Sequence, residues 1–327
     1  MSSAWKKLIN TKQKTELPHY AINKNLPSDS YFTNKETAIK CIDIVNKYLK
    51  ENNEDNTFTF IEPSCGSGVF YDLLPENKRI GIELHDRNRK EFIKADYLEW
   101  YPNKELPYFV IGNPPFGVRG AIALAFINRS FLFSEYVAFI LPMSFHSNGK
   151  GSNMKRVVNG HLVHSEILEG KAFSSPDNGK EIKPNTMFQI WKRGEGESIF
   201  KEYDVSEYAD IYTVCSSPAR RCGMDKLNEY DFYVTSSYFG DTLSTVYNFE
   251  DVKYGSGYGI IIKKNKKDIM EKMKDVNWDD YSSPATHGCK HVRRYAIEKC
   301  LFDNGFGKIL EQGQMMEVIN SMKEMEI

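Results

Sequence analysis

The sequence predicts a doubly wound α/β sheet over residues 1–197 and a second module of different texture over residues 198–327. Three observations predict it. First, seven short apolar runs, at 57–62, 79–84, 93–97, 108–112, 136–141, 162–168 and 186–191, are separated in several places by helix-length stretches. Strands alternating with helices favour a sheet built from crossover units. Second, four runs stop at Glu62, Glu83, Asp96 and Asn113, and such sheets bind ligands at the carboxyl ends of their strands. Third, the alternation ceases after Gly194-Glu-Gly-Glu197, where tyrosine, serine and short turns take over.

The elements follow in order. Residues 1–30 are polar and irregular, and Thr33-Asn-Lys-Glu36 then has the form of a capping box. Ala38, Cys41, Ile42, Val45, Tyr48 and Leu49 recur at helical spacing behind it. The strand at 57–62 enters Glu62-Pro63-Ser64-Cys65-Gly66-Ser67-Gly68, a glycine turn expected to lead into a helix. Gly66 and Gly68 allow a ligand to approach the backbone closely. The turn lacks the Gly-Lys-Ser/Thr ending of a P-loop and the third glycine of a dinucleotide fingerprint. Glu83, ending the next strand, is placed to accept the two hydroxyls of a ribose. Asp96, ending the one after, is placed to bind an adenine amino group, with Tyr97 and Leu98 flanking the ring. Any one of these acids alone reads better as a solvated strand end; three at successive strand ends are less easily dismissed.

The fourth strand ends in Asn113-Pro114-Pro115-Phe116. Proline has a fixed φ and no N–H, so the strand cannot continue. An amide, a carbonyl and an aromatic face held stiffly together suit a flat substrate with an amino group at its edge: adenine, cytosine or a carboxamide. Residues 121–134 are expected as helix and 136–141 as a buried core strand, with Phe145 and His146 just beyond it.

Composition narrows the class. The chain has 327 residues with 41% hydrophobic and 27% charged residues, values of an ordinary globular protein. No apolar run approaches the roughly 20 residues of a membrane span, and residues 1–7 carry no apolar signal core. A cytoplasmic protein (nucleocytoplasmic or viral in other hosts) with six reduced cysteines is expected. Net charge is −1. Residues 198–327 carry 17 Lys and Arg against 21 Asp and Glu, the remainder 26 against 23. Neither part is strongly basic, so nucleic acid would have to be bound through local clusters.

These motifs together resemble the S-adenosylmethionine-dependent amino-methyltransferases that act on adenine in DNA. Asn113-Pro-Pro-Phe116 matches that family's catalytic motif, with Asn113, Pro114, Pro115 and Phe116 as catalytic residues. Glu62-Pro-Ser-Cys-Gly-Ser-Gly68 matches its cofactor loop, and Tyr31-Phe-Thr33 looks like its upstream motif. The order, with a variable region last, resembles the gamma arrangement of type II restriction-modification and viral enzymes. The resemblance covers about residues 28–195. It implies a seven-stranded class I methyltransferase sheet with a C-terminal target-recognition module. It also implies S-adenosylmethionine as cofactor, lined by Tyr31, Phe32, Thr33, Glu62, Pro63, Gly66, Gly68, Glu83, Leu84, Asp96, Tyr97 and Asn113. The implied reaction is methyl transfer to N6 of a flipped adenine in a short duplex DNA site. A cognate restriction endonuclease, without direct contact, and a monomeric or dimeric state go with it.

The second module has three basic clusters: Arg220-Arg221, Lys263-Lys-Asn-Lys-Lys267, and Lys290-His291-Val-Arg293-Arg294. Arginine suits bidentate contact with guanine, so Arg220, Arg221, Lys290, Arg293 and Arg294 are the candidate DNA contacts. The Lys263–Lys267 run reads equally as a solvated face. His287, Cys289, His291 and Cys300 lack the paired spacing of a zinc site, so no metal is expected. Cys65 has no base beside it to make it a nucleophile. Two rivals use a similar turn: an RNA adenine methyltransferase and a protein glutamine-N5 methyltransferase. The latter carries its extra domain before the catalytic one, whereas about 130 residues follow here. A third rival, a non-enzymatic DNA-binding protein, leaves the intact Asn113–Phe116 turn without a use.

Overall fold

A computed structural model describes residues 32–54, 57–146, 152–168, 173–174, 181–182, 184–240, 242–285 and 288–310. The described chain forms two compact units, residues 32–146 with 152–199, and residues 200–310.

In the first unit, β1 (Phe32–Thr33) leads into α1 (Lys35–Glu51). Then come β2 (Thr59–Glu62), β3 (Arg79–Glu83), β4 (Phe92–Lys94) and β5 (Tyr108–Gly112). Helix α2 (Ala121–Ser130) precedes β6 (Tyr136–Pro142), β7 (Gly160–Leu168), the short β8 (Phe173–Ser174) and β9 (Glu181–Ile182), and β10 (Thr186–Arg193). Seven strands form one sheet in the order β4-β3-β2-β5-β6-β10-β7. The first five are parallel; β10 is antiparallel to both β6 and β7. This is a doubly wound α/β sheet of seven strands, as the sequence predicts. All seven apolar runs are its strands.

Alternation along the strands decides the two faces. Phe109 and Ile111, Tyr136, Ala138 and Ile140, and Phe188 and Ile190 share one core with Ala38, Cys41, Val45 and Leu49 of α1. Residues of the other parity face the opposite way, where Tyr108 meets Phe133 just past α2. Both faces are covered, which is why β5 and β6 read as unbroken apolar runs.

Several local expectations are corrected. The capping box does not form: Asn34 is the N-cap, without a side-chain capping bond, and Thr33 belongs to β1. The helix expected after the glycine turn is a single 3-10 turn, Tyr71–Leu73. Leu74 precedes Pro75 and is extended, as the proline ring demands. Strand β4 ends at Lys94, so Asp96 lies beyond it in a turn in which its own carboxylate accepts the Leu98 N–H at 2.9 Å. Helix α2 ends at Ser130, four residues early. Strand β1 is pinned by β8, with Thr33 opposite Phe173, a pairing no local signal announces.

Gly81 in β3 is a packing requirement. A Cβ there would stand 2.8 Å from Cys65 Sγ and from Tyr71 Cδ2, and 3.0 Å from Phe92 Cδ1. The glycine lets the segment carrying Cys65 and Tyr71 fold back onto β3. Gly81→Val is expected to destabilise the protein by about 1–3 kcal/mol through overpacking, seen as a lower urea midpoint.

The second unit is an antiparallel α+β assembly. Its strands are β11 (Tyr203–Asp204), β12 (Ala209–Cys215), β13 (Phe232–Thr235), β14 (Ser237–Tyr238), β15 (Ser256–Ile262), β16 (Ser283–Pro284), β17 (Lys290–His291) and β18 (Lys308–Ile309). Its helices are α3 (Lys266–Lys274) and α4 (Arg294–Asp303). The sheets are β12-β15-β13, β14-β17-β16 and β11-β18. Trp278, Tyr238, Phe232, Ile260, Met273 and Ile297 belong to a core of their own. In β15, Gly259 makes room for the Tyr230 ring, to which a Cβ would come within 2.7 Å.

Candidate active site

Four stretches far apart in sequence meet at the carboxyl edge of the first sheet. Asn113 Nδ2 donates to Thr33 Oγ1 at 3.1 Å, and Ser64 Oγ donates to the Asn113 carbonyl at 3.1 Å. The Gly66 N–H donates to Glu83 Oε2 at 2.7 Å, and the His85 N–H to the other oxygen at 3.0 Å. Gly66 lies at φ +53 under the Phe32 ring, where a Cβ would be 3.4 Å from Cε1. The upstream Phe32-Thr33, the loop from Glu62 to Gly68, Glu83 and Asn113 therefore surround one place.

Glu62 is 2% exposed and accepts the Tyr71 N–H at 2.7 Å. Its chain lies on Gly112, whose absent Cβ would stand 3.3 Å from Glu62 Cγ and 3.5 Å from Pro63 Cδ. Burial holds the Glu62 pKa well above the ordinary carboxylate value, against the opposing pull of the Tyr71 N–H. A raised folded-state pKa contributes stability below the unfolded value, and that stability is lost as pH rises through the folded one. Relative to Glu62→Gln, which keeps an acceptor for Tyr71, the native protein is therefore expected to lose stability from about pH 4.5 upward. Urea titrations of both proteins between pH 5 and 8 check this; parallel curves would refute it.

Pro114 is buried, and Phe116 is half-buried against the α1-side core. The Phe116 carbonyl accepts from Ile122 and Ala123 at 3.1 and 3.3 Å, so the turn also starts α2. Beyond it Gly117, Arg119 and Gly120 all have positive φ. Buried Asn153 holds this turn, donating to the Arg119 carbonyl at 2.8 Å and lying 3.1 Å from Ser144 Oγ. The bonds made by Ser64, Ser144 and Asn153 have no signal in the sequence: each acts on a residue 9 to 49 positions away.

Other candidates separate. Leu84 stands exposed at the end of β3, and Asp96 is exposed close by, its neighbour Ala95 bonded to the Glu83 carbonyl at 3.1 Å. Tyr97 is corrected from a ring flanking the ligand to a core residue. It is 2% exposed, its hydroxyl is 2.7 Å from Ser130 Oγ, and its ring packs on Phe126. Buried Arg129 fixes the same loop, donating to the Trp100 carbonyl at 2.8 Å and to the Tyr101 hydroxyl at 3.0 Å. Phe145 is likewise fully buried rather than available to a base. Tyr31 and His287 lie outside the described residues.

A cavity of about 480 Å³ opens beside Glu83, walled by His85, Arg87, Arg89 and Phe92. Carboxylates at one side, a fixed amide and carbonyls at the other, and a glycine backbone between them suit a nucleoside-bearing ligand next to a planar amine. Burial pushes the Cys65 thiol up, so it stays protonated and is no nucleophile. Among the described residues no group of three or more His, Cys, Asp or Glu could hold a metal ion. Nor is any described helix long and apolar enough to cross a membrane.

No family model matches the chain, and no curated protein matches it. Solved structures similar to it include a protein titled as an RNA methyltransferase from Pyrococcus horikoshii, 15% identical over 60% of this chain and 100% of that one, TM-score 0.39. The 23S rRNA methyltransferase ErmE is 16% identical over 52% of this chain and 71% of its own, TM-score 0.35. A SAM-dependent methyltransferase from Anabaena variabilis is 11% identical over 58% and 93%, TM-score 0.29.

Proposed function

We propose that the chain is an S-adenosylmethionine-dependent methyltransferase acting on N6 of an adenine flipped from a short duplex DNA site. One observation carries this reading: Thr33 and Ser64 converge on Asn113 while the cofactor loop bonds to Glu83. Residues of three motifs that resemble those of one enzyme family, separated by up to 80 positions in sequence, and the strand-end acid Glu83 are joined by these bonds.

The residues present fit the cofactor. Gly66 and Gly68, both at positive φ, keep side chains off the loop backbone, against Phe32 at the first and against Arg89 and Phe92 at the second, and the Glu83 carboxylate lies beside the loop to receive ribose hydroxyls. S-adenosylmethionine supplies a methyl group on an electron-poor sulfonium, so neither a metal nor a covalent enzyme intermediate is needed. The protein must make an exocyclic amine nucleophilic, because its lone pair is delocalised into the ring. The Asn113 side-chain oxygen and the Pro114 carbonyl serve as acceptors for the two amine hydrogens. Acceptors placed where positive charge develops favour the transition state over the ground state. Phe116 offers a face to the extruded base, offsetting part of the stacking lost from the duplex. The second unit serves as target-recognition module, and the enzyme would shield its site from a cognate restriction endonuclease.

The test is methyl transfer from tritiated S-adenosylmethionine to duplex DNA, to RNA of the same sequence and to a release-factor protein. Label recovered as N6-methyldeoxyadenosine is the expected result. Label confined to RNA or to protein glutamine would overturn the substrate assignment, and no transfer to any of the three would overturn the reaction. Sequencing the methylated positions then identifies the site.

A further inference from the structure

Some cations of the second unit are paired, while others, exposed Lys267, Lys272 and Lys274 among them, have no acid in ion-pair distance among the described residues. Lys263 pairs with Asp210 at 3.0 Å, Lys264 with Glu207 at 2.5 Å, and Lys266 with Asp231. Lys290 pairs with Asp279 at 2.9 Å, and Arg294 with Glu298 at 2.7 Å and the Ile211 carbonyl at 3.2 Å. Arg293 is half-buried at the start of α4. Arg220 and Arg221 belong with the unpaired cations. Both are exposed, and among the described residues no acid is in ion-pair distance of either.

These two arginines ride on a hairpin closed by mutual backbone bonds between Cys215 and Cys222, at 2.9 and 3.2 Å. The Ser216 N–H at its base donates to the Gly255 carbonyl at 2.9 Å, fastening it to a second loop. In that loop Tyr254 has φ 57 and ψ 17 and is 69% exposed. A bulky residue is strained in the left-handed region, and such strain collects at functional positions. Phe239 stands edge-on to Tyr254, ring centroids 6.4 Å apart, and is itself 59% exposed. Exposed Lys253 adjoins the pair. Tyr254 thus carries backbone strain and a ring that, its edge contact with Phe239 aside, is largely uncovered.

We infer that the 215–222 hairpin and the Tyr254–Phe239 ring pair form one DNA-contact surface. In it Arg220 and Arg221 hold backbone phosphates and the rings stack on bases at an opened step. Uncompensated guanidiniums beside free aromatic faces fit a polyanion that also carries flat rings. An acidic peptide would satisfy the charges and leave the rings uncovered. The inference rests on the reading of the chain as a DNA methyltransferase and names the surface that would hold its substrate.

The test is binding of the full chain to a fluorescent 30-base-pair duplex over a salt series. For Arg220→Gln with Arg221→Gln, the slope of log K against log salt is expected to fall by about two. Tyr254→Gly is expected to weaken binding by about tenfold without lowering the melting temperature, because glycine adopts this conformation freely. Tyr254→Phe is expected to restore binding. Binding by Tyr254→Gly within twofold of the native protein, or an unchanged salt slope in the double variant, would overturn the inference. Should these variants bind normally while the native chain methylates duplex DNA, only the surface is refuted. A native chain that neither binds nor methylates duplex DNA refutes the functional reading as well.

Discussion

Asn113→Ala is expected to reduce methyl transfer by at least 10²- to 10³-fold, the range seen when a pre-organised transition-state partner is removed, while S-adenosylmethionine binding stays within a few-fold. The side chain stands between two roles. Its Nδ2 is engaged by Thr33 Oγ1 at 3.1 Å, and its carbonyl by Ser64 at 3.1 Å. Those two bonds fix the rotamer and the backbone, and neither supplies the nucleophile's acceptor. Alanine keeps the Ser64 bond, the two prolines and the cofactor loop; it loses only the amide. The effect should therefore fall on kcat, with cofactor affinity spared. Thr33→Val, which removes the hydroxyl but keeps the shape, should loosen the amide and cost less, on the order of tenfold. Single-turnover kinetics with a matched calorimetric titration separate the two parameters. Near-normal turnover by Asn113→Ala would show that the turn is structural and the reaction assignment mistaken.

The strands were legible because their signal is local. Tyr108–Gly112 is apolar throughout and stopped by prolines, so both ends could be placed from the sequence. The loops were less legible, and for a reason visible in each case. The short 3-10 turn at Tyr71–Leu73 has its first N–H capped by Glu62, and Pro75 holds Leu74 extended, so the turn ends there. Tyr97 looked available because an aromatic after a strand-end acid resembles a ring-stacking position. What claims it is Ser130 on a helix 33 positions later. Thr33 fitted a capping pattern and is instead a strand residue whose hydroxyl reaches Asn113. Acidic and amide residues at strand ends could be found by position alone; the side chains that hold them could not.

Charge in the second unit follows the same logic. The run Lys263–Lys267 stands out in the sequence, yet three of its lysines pair with Asp210, Glu207 and Asp231 from other segments. Pairing of that kind at the surface contributes little stability but removes net positive charge from the face. Arg220-Arg221 is shorter and less conspicuous, and it remains uncompensated among the described residues. Which basic residues of a run lack acidic partners is thus decided by the fold and not by their density in the sequence.

Glu83→Ala is expected to raise the dissociation constant for S-adenosylmethionine by two to three orders of magnitude, the other large effect. Both oxygens of this carboxylate are committed, one to the Gly66 N–H at 2.7 Å and one to the His85 N–H at 3.0 Å. Hydrogen bonds to a charged group are worth about 1.5–3 kcal/mol each. Alanine leaves two N–H donors at a largely buried position without their acceptor and withdraws the group placed to receive two ribose hydroxyls. The glycine loop loses its tether to β3 as the nucleoside loses its anchor, so the two losses compound in one binding constant. Glu83→Gln sharpens the test. One amide oxygen can serve only one of the two backbone donors well, and the NH₂ group opposes the other, so glutamine should recover little despite its size. Because Asn113 is untouched, saturating cofactor should restore much of kcat in Glu83→Ala, the reverse of Asn113→Ala. A dissociation constant within threefold of native would mean that Glu83 braces the loop and takes no part in holding the cofactor.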